Sequence, residues 1–206
     1  MKGNNKNITI EVFDGDCFRA SEKYSDSVIH NFANNTSPGG PTSQFSDAGF
    51  LIRQKPNSNT QEDQIIHKYQ HNLKLYPNMY PICDDSKING EAILYSKCGL
   101  LKPVITIAAP INPNFKNKKI VNTIINRIHL MLYVSWKYNH TLITGLWGCG
   151  AFGANPETMA QLWEQAIKTT KFIPKRIVFA IILDEYSNKW GKNVGNYFNN
   201  IKLSFN

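Results

Sequence analysis

Long apolar runs are missing from this chain of 206 residues. No stretch approaches the roughly 18 consecutive apolar residues that a membrane span requires, so no membrane association is expected. The opening residues, Met1 to Asn7, are polar and no apolar segment follows them; no secretion signal is read there and a cytoplasmic location is expected. Cysteine is sparse. Cys17, Cys83, Cys98 and Cys149 form no CxxC pair and have no histidine at zinc spacing, which argues against a structural zinc site and suits a reducing compartment. His30, His67, His71, His129 and His140 are scattered and read as surface or packing residues, so neither a metal nor another cofactor is expected. No dense block of basic residues interleaved with aromatics occurs, and a nucleic-acid groove is therefore not expected. Repeats and linkers are absent as well. The whole chain, residues 1–206, is read as one domain and as a monomer.

What is present points to a layered α/β protein. A net charge of +8 favours an anionic partner, although scattered lysines also serve solubility. Residues 7–13 (NITIEVF) alternate apolar and polar and predict a strand; residues 27–33 (SVIHNFA) predict another, leaving into a polar, Gly/Pro-rich loop over 34–59. Thr60 has the chemistry of an N-cap before Glu62 and Asp63, with Ile65, Ile66 and Tyr69 on one apolar face. Residues 91–97 and 103–109 read as strands. Ile120, Ile124, Ile128, Leu132 and Trp136 recur at helical spacing through residues 119–138, so Met131 and Trp136 are expected on that helix's buried face. Residues 140–146 predict a strand, Asn155-Pro156-Glu157 opens a helix to about Lys171, and the apolar run 176–183 predicts a buried central strand. Strands interleaved with helices make a layered α/β domain.

Four segments carry possible chemistry. Asp14-Gly15-Asp16-Cys17 follows the first strand; a carboxylate there reads an exocyclic amine, or merely closes a turn or caps a helix. Asn31-Phe32-Ala33-Asn34 leads to Pro38-Gly39-Gly40, where glycine lets backbone approach a ligand closely and Pro41 removes one donor. In Gln61-Glu62-Asp63, neighbouring carboxylates on a helix point about 100° apart, so both face one sugar only at a helix start. Acidic residues in a first turn also favour the helix dipole with no chemistry at all. The run from Gly145 to Glu157 contains Gly148, Cys149, Gly150, Ala151, Phe152 and Gly153, a strand–glycine–helix order that cradles a diphosphate on backbone N–H groups. It has no Gly-Lys-Ser/Thr and is not a Walker loop. Cys149 has no histidine near it in sequence to activate it as a nucleophile.

Together, in this order along almost the whole chain, the segments resemble the macrodomain family, in particular its poly(ADP-ribose) glycohydrolase-like members. The resemblance implies a three-layer α/β/α fold with a mixed central sheet, and ADP-ribose and ADP-ribosylated proteins as partners. It implies that Asp16 meets adenine, Gly148 to Gly153 hold the diphosphate with Phe152 against the terminal ribose, and Asn34, Gly39, Gly40 and Gln61 line that ribose. Glu62 would hold ribose hydroxyls, and Asp63 would be the acid that protonates the leaving group. Asp184 and Asn193, in residues 178–193, would lie beside the adenine. Two departures stand out: the spacer between Gly40 and Gln61 is longer than in the family, and Asp63 replaces its second glutamate. The expected activity is hydrolysis at the terminal ribose C1″, releasing ADP-ribose from mono-ADP-ribosyl protein (arginine-linked protein included) or from poly(ADP-ribose). The alternative is a non-catalytic ADP-ribose reader. Asp47, in the long loop, is a further candidate carboxylate.

Overall fold

The structure is a computed structural model and describes residues 8–36, 43–45, 51–54, 61–68, 82, 94–96, 102–183 and 194–203. Its elements are β1 (Thr9–Asp14), α1 (Cys17–Lys23), β2 (Ser27–Ala33), β3 (Ser43–Phe45), β4 (Leu51–Gln54), α2 (Gln61–Lys68) and β5 (Leu94–Ser96). There follow β6 (Val104–Ala108), α3 (Lys118–Lys137), β7 (Thr141–Thr144), α4 (Pro156–Thr169), β8 (Arg176–Ile181) and α5 (Val194–Leu203).

Six strands form one mixed sheet in the order β1-β8-β7-β2-β6-β5. Every pairing is parallel except β5 on β6. Strand residues alternate between two cores, as a period of two demands of a sheet covered on both faces. In β8, Ile177, Phe179 and Ile181 join one cluster with Ile124, Ile128 and Leu132 of α3, Trp163 of α4 and Phe198 of α5. Val178 and Ala180 join the other, with Cys17, Phe18 and Ala20 of α1 and Ile65 of α2. The expected three-layer α/β/α fold with a mixed sheet is therefore observed. Each helix contributes one apolar stripe, and α4 starts at an Asn155 cap whose side chain accepts from Thr158 N, with Pro156 in the first turn.

Several local expectations need correction. Met131 is buried, but Trp136 is 46 % exposed. Each step of four residues turns a helix by about 400°, so the row Ile120, Ile124, Ile128, Leu132, Trp136 drifts about 40° per step, and Trp136 leaves the face on which Ser135 stays buried. The loop expected over 34–59 contains the antiparallel ribbon β3–β4. The strand expected over 176–183 is buried and paired on both sides, by β1 and β7, but it ends at Ile181, leaving Ile182 and Leu183 half-exposed. Helices α1 and α5 were not predicted by the sequence pattern.

Candidate functional site

The chain leaves β2 toward β6 and leaves β7 toward β8, so the connections after these neighbouring strands run in opposite directions. Such a switch point opens a crevice at the carboxyl ends of the strands, where ligands of open α/β sheets bind. Both strongest sequence signals, Asn34 after β2 and the glycine loop after β7, are on its two sides.

The glycine loop is built from its own backbone. Trp147 N donates to Gly145 O, Cys149 N to Leu146 O, Gly153 N to Gly150 O and Ala154 N to Gly148 O. The N–H groups of Gly148, Gly150, Ala151 and Phe152 have no partner among the described residues. Consecutive unsatisfied N–H groups just before the amino end of α4 form a seat for an anion. Gly148 (φ +78°) and Gly153 (φ +69°) need the left-handed region, and a Cβ on them would come 2.9 Å from Ala109 Cβ and 2.5 Å from Asn112 Oδ1. Gly150 differs: a Cβ there meets nothing within 4 Å, so space is open in front of it. Asn112, itself at φ 45°, donates its N–H to Phe152 O at 2.7 Å and braces the loop from the β6 side. Sequence reading passed over Asn112; the Asn-Pro pair at 112–113 is the turn signal that could have found it.

Across the crevice, α2 is fastened to the end of β2 by side chains. Gln61 accepts from Phe32 N (Oε1, 2.8 Å) and donates to His30 O (Nε2, 2.6 Å), so its amide pairs with the strand backbone like another strand. Glu62 is 4 % exposed and its Oε2 accepts from Asn34 N at 2.9 Å. Asn34 Oδ1 in turn accepts from Thr36 N (2.8 Å) and Thr36 Oγ1 (2.7 Å). A buried carboxylate thus stands at the carboxyl end of β2, and the peptide of the Asn34 turn is held to it. Asp63 follows in the first turn of α2. Gly39, Gly40, Asp47, Thr60, Asp184 and Asn193 lie outside the described residues, as does Tyr69.

Asp16 is the N-cap of α1, its Oδ1 accepting from Phe18 N (2.8 Å) and Arg19 N (2.9 Å). Its other oxygen, Oδ2, has no partner among the described residues, so capping and ligand reading are compatible. Cys149 is buried and its thiol is pushed up to about 12 by that burial, which removes it as a nucleophile at neutral pH. Burial also pushes the Cys17 thiol up to about 12, with the nearby Asp16 charge adding to it and contact with Gln61 opposing it.

Beneath the crevice His30 is wholly buried, its Nδ1 3.0 Å from Thr144 Oγ1 and its ring edge-on to Phe32 and Trp147. Burial lowers its pKa to about 3, with the Ile107 carbonyl opposing weakly, so the ring is neutral. The same carbonyl accepts Trp147 Nε1–H at 3.3 Å. His30 is thus a floor residue joining β2, β7 and the glycine loop, as the packing expectation held. Among the described residues no group of three or more His, Cys, Asp or Glu could hold a metal, and no helix is long and apolar enough to cross a membrane.

No family model and no curated protein matches the sequence. Solved structures are similar. The poly(ADP-ribose) glycohydrolase of Deinococcus radiodurans in complex with ADP-ribose is 20% identical over 97% of this chain and 86% of that one, with a TM-score of 0.71. Its apo form superposes with a TM-score of 0.58 at 17% identity, covering 98% of this chain and 85% of that one. The glycohydrolase of Thermomonospora curvata gives 0.56 at 19% identity, covering 94% and 76%. The fold of this chain is that of the poly(ADP-ribose) glycohydrolase-like macrodomains.

Proposed function

We propose that this chain, as a single macrodomain, binds ADP-ribose along the carboxyl ends of its strands and hydrolyses an ADP-ribosyl bond at the terminal ribose C1″. The observation that carries the reading is the opposition, across one switch point, of a loop with unsatisfied N–H groups and a buried carboxylate, Glu62. A diphosphate needs the first; a ribose whose hydroxyls must be held needs the second. The likeness to glycohydrolases solved with ADP-ribose supports the same ligand.

In this reading Asp16 uses Oδ2 to accept from the adenine amino group, Gly148 to Gly153 take the diphosphate, and Phe152 packs on the terminal ribose. Asn34, Gly39 and Gly40 border that ribose from the β2 side, and Asn193 borders the adenine. Glu62 accepts from ribose hydroxyls while holding the Asn34 peptide. Gln61 acts through the strand it grips. Asp63 protonates the departing oxygen or nitrogen, an oxocarbenium-like sugar forms, and water captures it. No residue of this set requires a metal or a cofactor for that sequence of proton transfers.

Asp63 bears on the substrate. It is one methylene shorter than glutamate, which sets its carboxyl back by about 1.5 Å on an unchanged backbone. Misplacement on that scale costs on the order of 100-fold in rate. A different leaving group relieves the mismatch, so mono-ADP-ribosylated protein, arginine linkage included, stands beside the poly(ADP-ribose) chain as substrate. The test is an assay of mono- and poly-ADP-ribosylated substrates of defined linkage. Release of ADP-ribose from at least one supports hydrolysis, and release from none makes the chain a reader.

A further inference from the structure

The surface at the opposite end of the sheet has its own chemistry. Tyr133 and Trp136 of α3 and Phe172 of the turn after α4 form one exposed aromatic cluster. Ring centroids are 4.7 Å apart for Trp136 and Phe172, 5.2 Å for Tyr133 and Phe172 and 6.1 Å for Tyr133 and Trp136. Trp136 is 46 % exposed, Tyr138 47 % and Phe172 40 %. The ammonium of Lys137 lies 6.0 Å from the Tyr133 ring centroid and 5.5 Å from that of Tyr138, and Tyr138 stacks on His140 at 6.4 Å. These residues precede the amino ends of β7 and β8, whereas the candidate site lies at the carboxyl ends.

The surroundings are cationic. No Asp or Glu occurs between Glu91 and Glu157, nor between Glu164 and Asp184. Lys137 and Lys171 are exposed, Lys137 beside the Tyr133 and Tyr138 rings and Lys171 next to Phe172 in the chain. Of the nearest acids, Glu164 is paired with Lys168, and Asp26 takes the Thr141 hydroxyl on its carboxylate and the His140 ring on its carbonyl.

We propose that this surface binds single-stranded nucleic acid, bases stacking on Trp136, Phe172 and Tyr138 and phosphates meeting Lys137 and Lys171. Exposed rings accept any base by its π face, and lysines track the backbone; that combination defines a stacking platform for single strands. A second copy of the chain fits less well. A two-fold interface sets Lys137 against its own copy, and the carboxylates named at the margin, Asp26 and Glu164, are already engaged with Thr141 and Lys168. The sequence hides the platform because its rings come from two segments, 133–140 and 172, which only the fold joins.

The test is fluorescence anisotropy of a labelled oligothymidylate titrated with the full chain, with free ADP-ribose as competitor and a duplex as control. The proposal expects binding that weakens with salt, a weaker duplex complex, and no displacement by ADP-ribose. Trp136→Ser combined with Phe172→Ser should weaken binding roughly tenfold or more. Lys137→Glu, which leaves every ring in place, should weaken it and flatten the salt dependence. Four results would each overturn the proposal: no binding by the native chain, unchanged affinity in both variants, displacement by ADP-ribose, or a native dimer that Trp136→Ser dissociates.

Discussion

At the scale of single residues, Gly150 separates ligand effects from folding effects. A Cβ there meets no atom of the described residues within 4 Å, so Gly150→Glu is expected to leave the loop intact and put a carboxylate where the diphosphate is proposed. Substitution at Gly148 or Gly153 would strain the loop itself and report on both. Asp16 needs the same care, because Asp16→Ala removes the α1 cap, a cost of about 1 kcal/mol in stability, together with any adenine contact. Asp16→Asn keeps an oxygen for the cap yet leaves no second carboxylate oxygen. It is expected to weaken ADP-ribose binding by roughly 1–3 kcal/mol while leaving ribose 5-phosphate binding unchanged. Equal losses for both ligands in calorimetry would make Asp16 structural only. Cys149→Ala should retain hydrolysis, since the buried thiol stays protonated at neutral pH.

At the scale of elements, the junction of β2 and α2 is where the proposed catalysis is tested. Gln61 makes two hydrogen bonds to the strand, and Glu62 makes one to the turn beyond it. Gln61→Ala should lower stability by about 2 kcal/mol, at about 1 kcal/mol per bond, with a matching drop in the urea midpoint. Glu62→Gln should lose affinity and rate together, because a ribose contact serves ground state and transition state alike. Asp63→Asn should bind ADP-ribose nearly as well as the native chain and lose at least about 100-fold in turnover. Full activity of Asp63→Asn on every linkage would move the acid elsewhere, Asp47 first. This junction was legible in part. The helix start could be named from residue types and Asn34 and Glu62 from the family resemblance, but the bond from Gln61 to the His30 carbonyl joins residues thirty-one apart and leaves no local pattern.

At the scale of the whole molecule, the buried His30 ties stability to pH. Its folded pKa of about 3 lies below the ordinary 6.5, so the unfolded chain takes up a proton first as pH falls. Between those values this histidine withdraws roughly 1.4 kcal/mol of stability per pH unit, and none above them. His30→Gln should show a shallower decline in urea midpoint across that acid range; an unchanged slope would mean that His30 charges without cost. The parallel core strands were legible because apolar runs bounded by turn residues fit nothing else, and the cap at Asn155 announced α4. Helix α1 has only seven residues, too few for a period to show, and α5 begins after Asn193, beyond the last segment to which the sequence reading gave a structure. Trp136 continued the four-residue apolar spacing of α3 after that row had rotated off the buried face, a drift that the spacing alone does not show. The central claim, an ADP-ribose site across the carboxyl ends of the strands, meets its most direct test in calorimetric titration of the native chain and Gly150→Glu with free ADP-ribose. One-to-one binding by the native chain and none by the variant is the predicted result; equal affinity in both, or no heat in either, would contradict it.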